Sequence, residues 1–242
     1  MRSVETAVQE IRDVGYTVIP NLIDGPRLRQ AQADADPLLG PTLIGMPGLD
    51  GKVIGRMCKG LFRKSRAFDD LYAHPTVLAV VRGVLVDPER KRSYLSFGSG
   101  IQLSTVMIKD VQPRENIRHM HRDDGWYPIS RPRPPIVVNT LLALDPFTRE
   151  TGGTLVVPGS HRWTRPVDQD HEHVVVEMDA GSILMFDGSL WHNNGANQTA
   201  DRTRRALNMY YSQSWLRQVE GPYLGLTTDE VEELPEALRA IV

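Results

Sequence analysis

The sequence predicts a mainly β fold, a sandwich or closed barrel with helices packed against it. Three observations carry this. Helical periodicity is confined to roughly the N-terminal third of the chain. From about residue 93, short β-rich runs follow one another with turn residues between nearly all of them. No internal repeat, low-complexity tract or linker divides the 242 residues. A β-rich chain of this length suits one domain and can bury a full core without disulfides. The expected organisation is a single domain over 1–242, mostly helical over 1–92, with a β core over 93–218 and a tail over 219–242 that ends in a helix.

In VETAVQEIRDVGY the apolar residues Val4, Ala7, Val8, Ile11 and Val14 recur at helical spacing, and Gly15 stops the helix. YTVIP then reads as a short strand. Asp24 with Pro26 marks a second helix start, and Leu28, Ala31, Ala35 and Leu38 give that helix one apolar stripe. Gly and Pro punctuate residues 40–55, which read as loop. A further helix begins near Pro75 in HPTVLAVVRGVL. The β-rich runs are SYLSFGS, IQLSTVMIK, PIVVNTLLAL, GTLVVPG, HVVVEM, SILMFDG and RALNMYYSQSW. Thr227 and Glu230 form a capping-box pattern that opens the C-terminal helix.

Composition narrows the function classes. The net charge of −2 argues against a general nucleic-acid binder, and no apolar run approaches the roughly 18 residues that a membrane span needs. The N-terminus is amphipathic without a signal peptide's apolar block. The single cysteine, Cys58, has no internal partner and fits a reducing compartment, where it reads as a small buried apolar side chain. The expectation is a cytoplasmic protein that touches neither membrane nor nucleic acid.

The chemistry concentrates in HMHRDDGWYP. Two of seven histidines stand here beside two aspartates. On an extended segment, side chains at i and i+2 share a face, so His121 and Asp123 project together with Arg122 turned away. One more imidazole would complete a 2-His-1-carboxylate triad of the kind that holds non-haem Fe(II) with open positions. His192, after the run ILMFDGSLW, is the candidate. His119 and Asp124 remain rivals for their neighbours' places. Twelve residues beyond His192 stands Arg204, with Arg205 next to it. A planar guanidinium suits the distal carboxylate of a 2-oxo acid, and strand alternation lets only one of the pair point inward.

These stretches together resemble the phytanoyl-CoA dioxygenase family of Fe(II)/2-oxoglutarate oxygenases. The resemblance runs through IRDVGYTVIPNLIDGPRL, HRD, LLALDPFTRETGGTLVVPGSHRW and WHNNGANQTADRTRRALNMYY, in the family's order. It implies a double-stranded β-helix core (jelly roll, cupin-like) with N-terminal helices packed on one sheet. It implies His121, Asp123 and His192 as iron ligands and Arg204 as the 2-oxoglutarate arginine. The Arg204 match needs one extra residue in GANQTADRT, which leaves Arg205 as the alternative. Thr105, Asn139, Leu141 and Thr154 fall on strands that should face the co-substrate, and Asn194 sits where the family often places a small polar contact. Trp126 and Tyr127 are candidate substrate-pocket walls, as are residues 40–66. His161 of PGSH is expected to satisfy a local hydrogen bond, and the basic run KGLFRKSRAF to be a solvated face. Thr151-Gly152, which replaces the family's more usual acidic or amide residue, should affect its turn and not the chemistry.

The implied cofactors are Fe(II), 2-oxoglutarate and O2, and the implied partner is a small organic molecule. The outcome expected is hydroxylation of a C–H bond. Desaturation, epoxidation and ring closure use the same centre, whereas Asp123 argues against halogenation. A tailoring step in bacterial specialised metabolism is the expected setting. Two rival readings stand beside it: a non-catalytic small-molecule binding protein on the same fold, and a hydrolytic zinc site on the same ligands. The latter leaves Arg204 unexplained. Oligomeric state is not legible.

Overall fold

The computed structural model describes residues 2–40, 55–86, 100–116, 119–221 and 226–242. The expected strand SYLSFGS and nearly all of the expected loop over 40–55 lie outside them. The rest is mainly antiparallel β with flanking helices, as expected. Helix α1 (Val4–Val14) is capped by Ser3, whose hydroxyl accepts from Thr6 N at 3.1 Å, and it ends at Gly15. Strand β1 (Tyr16–Ile19) follows, then α2 (Gly25–Ala35), capped by Asp24 and continued by a 3-10 turn over Asp36–Leu38. The expected third helix is α5 (Pro75–Leu85). Before it come three short elements that periodicity could not show: β2 (Met57–Cys58), α3 (Leu61–Lys64) and α4 (Asp69–Tyr72).

Strands β3 (Ile101–Val111), β4 (Val137–Ala143), β5 (Thr154–Val156), β6 (Val174–Val176), β7 (Ile183–Asp187), β8 (His192–Asn193) and β9 (Arg204–Gln213) form the core. Among the described residues one sheet has six strands in the order β1-β7-β4-β9-β3-β2, the other three in the order β6-β5-β8, and every pairing is antiparallel. Two short helices, α6 (Thr228–Glu232) and α7 (Glu236–Arg239), stand where one was expected; the capping box of Thr227 and Glu230 is formed.

Period two divides the large sheet's residues between two cores. Val106, Ile108, Val138, Leu142, Ile183, Met185, Leu207 and Met209 face the helices and pack with Ile11, Val77, Val80 and Val81. Leu141, Ala143, Leu184, Phe186 and Ala206 face the small sheet and pack with Val156 and Val176. Any residue paired directly with one of these shares its face. A register shift between Leu103 and Thr105 matters here. Leu103 pairs with Tyr211 on the helix side, whereas Thr105 pairs with Tyr210. The bulge at Ser104 thus turns Thr105 inward, where unbroken alternation would have aimed it at the helices.

Cys58 is buried, as the composition suggested. Arg66 of the basic run pairs with Asp69 and lies over the Phe62 ring, so this segment braces α3 against α4. No helix among the described residues is long and apolar enough to cross a membrane.

Gly15 joins α1 to the sheet. Its φ is +95°, a left-handed backbone that suits glycine, and its carbonyl accepts from Asp187 N at 2.9 Å. A Cβ there would lie 2.5 Å from Leu190 Cδ1 and 2.8 Å from His161 Nδ1. Gly15→Ala is therefore expected to destabilise the protein by more than about 1 kcal/mol, measured by chemical denaturation.

Candidate metal centre

Two segments remote in sequence meet here. His121 and His192 exchange backbone hydrogen bonds at 3.1 Å each way, an isolated bridge that ties the HRD segment to β8. Arg122 is extended, and Asp123 opens a 3-10 turn over Asp123–Trp126. The expected strand is thus one bridged residue running into a turn, yet the i, i+2 geometry survives. His121 Nε2 lies 3.5 Å from Asp123 Oδ1, and His192 Nε2 lies 3.4 Å from Asp123 Oδ2. One donor atom from each of His121, Asp123 and His192 lies within 4.8 Å of the others, an arrangement that could hold a metal ion.

The ring nitrogens facing away are already used. His121 Nδ1 contacts His119 O at 2.8 Å and His192 Nδ1 contacts Leu190 O at 2.9 Å, which fixes both rings with Nε2 toward the centre. Burial pushes the His192 imidazole down to about 4 despite the pull of Asp123, so at neutral pH it offers a lone pair. Burial works to raise the Asp123 carboxyl, but His192, His121 and the Asn139 amide together hold it well below the usual range. An anionic oxygen and a neutral imidazole are what a divalent ion requires.

Asn139 does something other than expected. Its Nδ2 donates to Asp123 Oδ2 at 2.5 Å, while its Oδ1 accepts from Thr140 N at 2.8 Å and from Asn208 Nδ2. Two donors on Oδ1 fix which end of the amide is which. Asn208 also donates to Thr140 O at 2.7 Å. Asn139 is thus a brace for Asp123, with Asn208 locking it from behind. Asn208 was absent from the sequence reading; only its alternation with Arg204 and Tyr210 along β9 could have signalled it. Tyr210 adds a hydrogen bond to Asp123 O at 3.1 Å.

The rivals are placed elsewhere. His119 is exposed and stacks on His121 at 5.9 Å. Asp124 is fully buried and accepts from Arg131, Arg133 and Ser189, so it anchors the turn that carries Asp123. His161 Nε2 contacts Arg12 O at 3.1 Å, the local role expected of it. Trp126 is 81% exposed, and Tyr127 is partly buried with its hydroxyl on Arg217 O at 2.8 Å.

Arg204 is fully buried and lies over the Phe147 ring at 4.1 Å. Its Nη2 donates to Gly152 O at 2.8 Å and to Asn194 Oδ1 at 3.2 Å. Its Nε and Nη1 have no partner, and no carboxylate among the described residues forms an ion pair with it. Arg205 points the other way, into salt bridges with Asp145 and Asp36. The Thr151 turn reaches the site after all, because the Gly152 carbonyl steers Arg204. Thr105 and Thr154 are buried with unpartnered hydroxyls, and Leu141 lies in the inner core.

The model of the phytanoyl-CoA dioxygenase family matches residues 11–206. The chain belongs to that family. Its enzyme class is that of the Fe(II)/2-oxoglutarate-dependent dioxygenases. Dioxygenase aneA of Aspergillus aculeatus is 32% identical over 148 residues, 57% of this chain and 48% of that protein, so the match spans about half of aneA's length. Dioxygenase olcK of Penicillium canescens is 27% identical over 214 residues, 83% of this chain and 68% of that protein. Among solved structures, the epimerase SnoN in complex with Fe3+, alpha ketoglutarate and nogalamycin RO superposes with a TM-score of 0.69 at 20% identity, covering 93% of this chain and 90% of that one. The carbocyclase SnoK from nogalamycin biosynthesis gives 0.71 at 19% identity, covering 93% of both chains. These likenesses show the fold of the phytanoyl-CoA dioxygenase family member described here.

Two substitutions separate the candidate metal ligands from their brace. Asp123→Ala is expected to abolish tight Co(II) or Fe(II) binding, whereas Asn139→Ala weakens it about 10–100-fold. Anaerobic calorimetric titration checks both.

Proposed function

We propose that the protein is an Fe(II)/2-oxoglutarate-dependent oxygenase that oxidises a C–H bond of a small organic molecule, with hydroxylation as the outcome. The observation that carries this is the half-satisfied guanidinium of Arg204. A buried charge without a counter-ion costs several kcal/mol, of order 3–5 where a partner has been removed. The fold accepts that cost at a point that shares an interior with two imidazoles and a carboxylate. A dicarboxylate with a 2-oxo group at one end answers both demands.

The residues present fit the group. His121, Asp123 and His192 would hold Fe(II) through two imidazoles and one carboxylate, a donor set that leaves positions open. Arg204 would receive the distal carboxylate on Nε and Nη1, with the Thr154 hydroxyl free to join it and the Thr105 hydroxyl free on the facing strand. When bound, the iron supplies the redox chemistry by which O2 and 2-oxoglutarate become succinate and CO2 as the substrate is oxidised. Everything else is the protein's geometry. Asn139 holds one oxygen of Asp123 and so restrains how that carboxylate is presented. Leu141, Phe147 and Phe186 keep the wall beside Arg204 apolar, which excludes water from the co-substrate's hydrocarbon span. Arg204 fixes the distal end, so the 2-oxo end is delivered in one pose.

The reading extends to a tailoring step in bacterial specialised metabolism. SnoN and SnoK, which share the fold, are proteins of nogalamycin biosynthesis, and a Mycobacterium tuberculosis protein is 45% identical over 86 residues, 34% of this chain and 30% of that one. Asp123 retained in the triad favours oxidation over halogenation. Trp126, exposed on the turn that Asp123 opens, supports a substrate-facing wall.

Anaerobic titration with Fe(II) and 2-oxoglutarate tests the reading. A metal-to-ligand charge-transfer band is expected in wild type and in Arg205→Ala, and Arg204→Ala is expected to weaken 2-oxoglutarate at least about 10-fold, the loss of a charge-assisted bidentate contact. Iron binding without any such band would favour the non-catalytic binding protein.

A further inference from the structure

Strand β3 carries a second cation on the wall that bears Arg204. Lys109 pairs directly with Ala206, which belongs to the inner core, so the lysine points between the sheets and not toward the helices. Its neighbour Ile108 confirms the alternation by lying in the helix-side core. Ala206 and Ala143, paired with each other across β9 and β4, leave this part of the wall without bulk, so a long side chain has room to cross it. Arg204 pairs with Val111, one inward position along β3 from Lys109.

Lys109 has no hydrogen bond or ion pair to any described residue. The charged groups that act on it are Asp123, Arg204 and Glu115. Asp123 is engaged by His121, His192 and Asn139. Arg204 has like charge. Glu115 receives Gln112 N at 2.9 Å and makes no ion pair with the lysine. Burial pushes the Lys109 ammonium down to about 8, with Asp123 resisting and Arg204 adding to the fall. The interior therefore holds two cations on adjacent inward positions, both short of an anion.

We propose that Lys109 is a second cationic anchor for the distal carboxylate of the 2-oxo acid, acting beside Arg204. This rests on the co-substrate reading above. A carboxylate offers about four lone-pair sites. Arg204 fills two through Nε and Nη1 and the Thr154 hydroxyl a third, and Lys109 takes the remaining one across the gap left by Ala206. The consequence is selectivity: two positive charges at the distal end favour a dicarboxylic 2-oxo acid over a monocarboxylic one by more than Arg204 alone would.

The test compares 2-oxoglutarate with 2-oxobutyrate, which binds iron through the same keto-acid end but has no distal carboxylate. Affinities are read anaerobically from the charge-transfer band on Fe(II)-loaded wild type, Lys109→Met and Lys109→Gln. Both variants are expected to weaken 2-oxoglutarate about 10-fold and leave 2-oxobutyrate unchanged, with Lys109→Arg restoring most of the loss. The retained 2-oxobutyrate affinity reports that the variant is folded. Unchanged 2-oxoglutarate affinity, or equal weakening of both acids, overturns the proposal. A wild-type protein with no band for either acid overturns the co-substrate reading, and Lys109 falls with it. A wild-type band lost only for 2-oxoglutarate in the lysine variants separates the two.

Discussion

A buried guanidinium with two unanswered donors is the constraint around which the interior is organised. Arg204 is the largest fully buried side chain among the described residues. Phe147 covers one face, and Gly152 and Asn194 hold only Nη2. Burial depresses its affinity for protons to about 10, still far above neutral pH, so the charge persists inside. Local carboxylates could have quenched it, as Asp145 and Asp36 quench Arg205 one residue away. That none among the described residues does so leaves a defined demand for an anion from outside, and Asn194, which holds Nη2, stands two residues beyond His192 of the triad.

The contrast between the two arginines shows how much of the site was legible. Sequence patterning singled out the three residues whose donor atoms converge because HRD and WHNNGAN are local signals whose geometry depends on one or two residues. It also narrowed the arginine to a pair, since period two forbids both from facing inward. Choosing between them needed the register of β9 against β3 and β4, a non-local fact. Thr105 posed the same problem in a harder form: the bulge at Ser104 reverses the parity of β3, and nothing in IQLSTVMIK marks it. The helices were legible from period and caps, while β2, α3 and α4 were not, because elements of two to four residues carry too few positions to show a period.

Asn139 illustrates a different limit. A polar residue on an inward strand face advertises a contact but not its partner. Here the partner is Asp123, and the choice is enforced by Asn208, whose amide occupies the oxygen of Asn139 and leaves its nitrogen to face the carboxylate. Asp123 is thus oriented from β4 and β9, two central strands of the large sheet. His121 and His192 are oriented instead by backbone carbonyls next to them in sequence. Two of the three donors are set locally and one by the sheet.

The turn that carries Asp123 has its own anchor. Asp124 is buried beneath Arg131, Arg133 and Ser189, and Arg122 lies over the Trp191 ring while donating to Ser160 O and Trp163 O. Residues on either side of Asp123 are therefore clamped in opposite directions, one into the Asp124 cluster and one into the PGSH turn. An extended residue running into a 3-10 turn would otherwise be free to rotate. With both flanks held and Asn139 on Oδ2, the carboxylate keeps one pose before any ion arrives, and little ordering remains to oppose metal binding. Rigidity of this kind belongs to the centre and not to the rim, where Trp126 stands exposed two residues beyond Asp124. A fixed centre beneath a less committed rim matches the usual division between a rigid scaffold and the loops it carries.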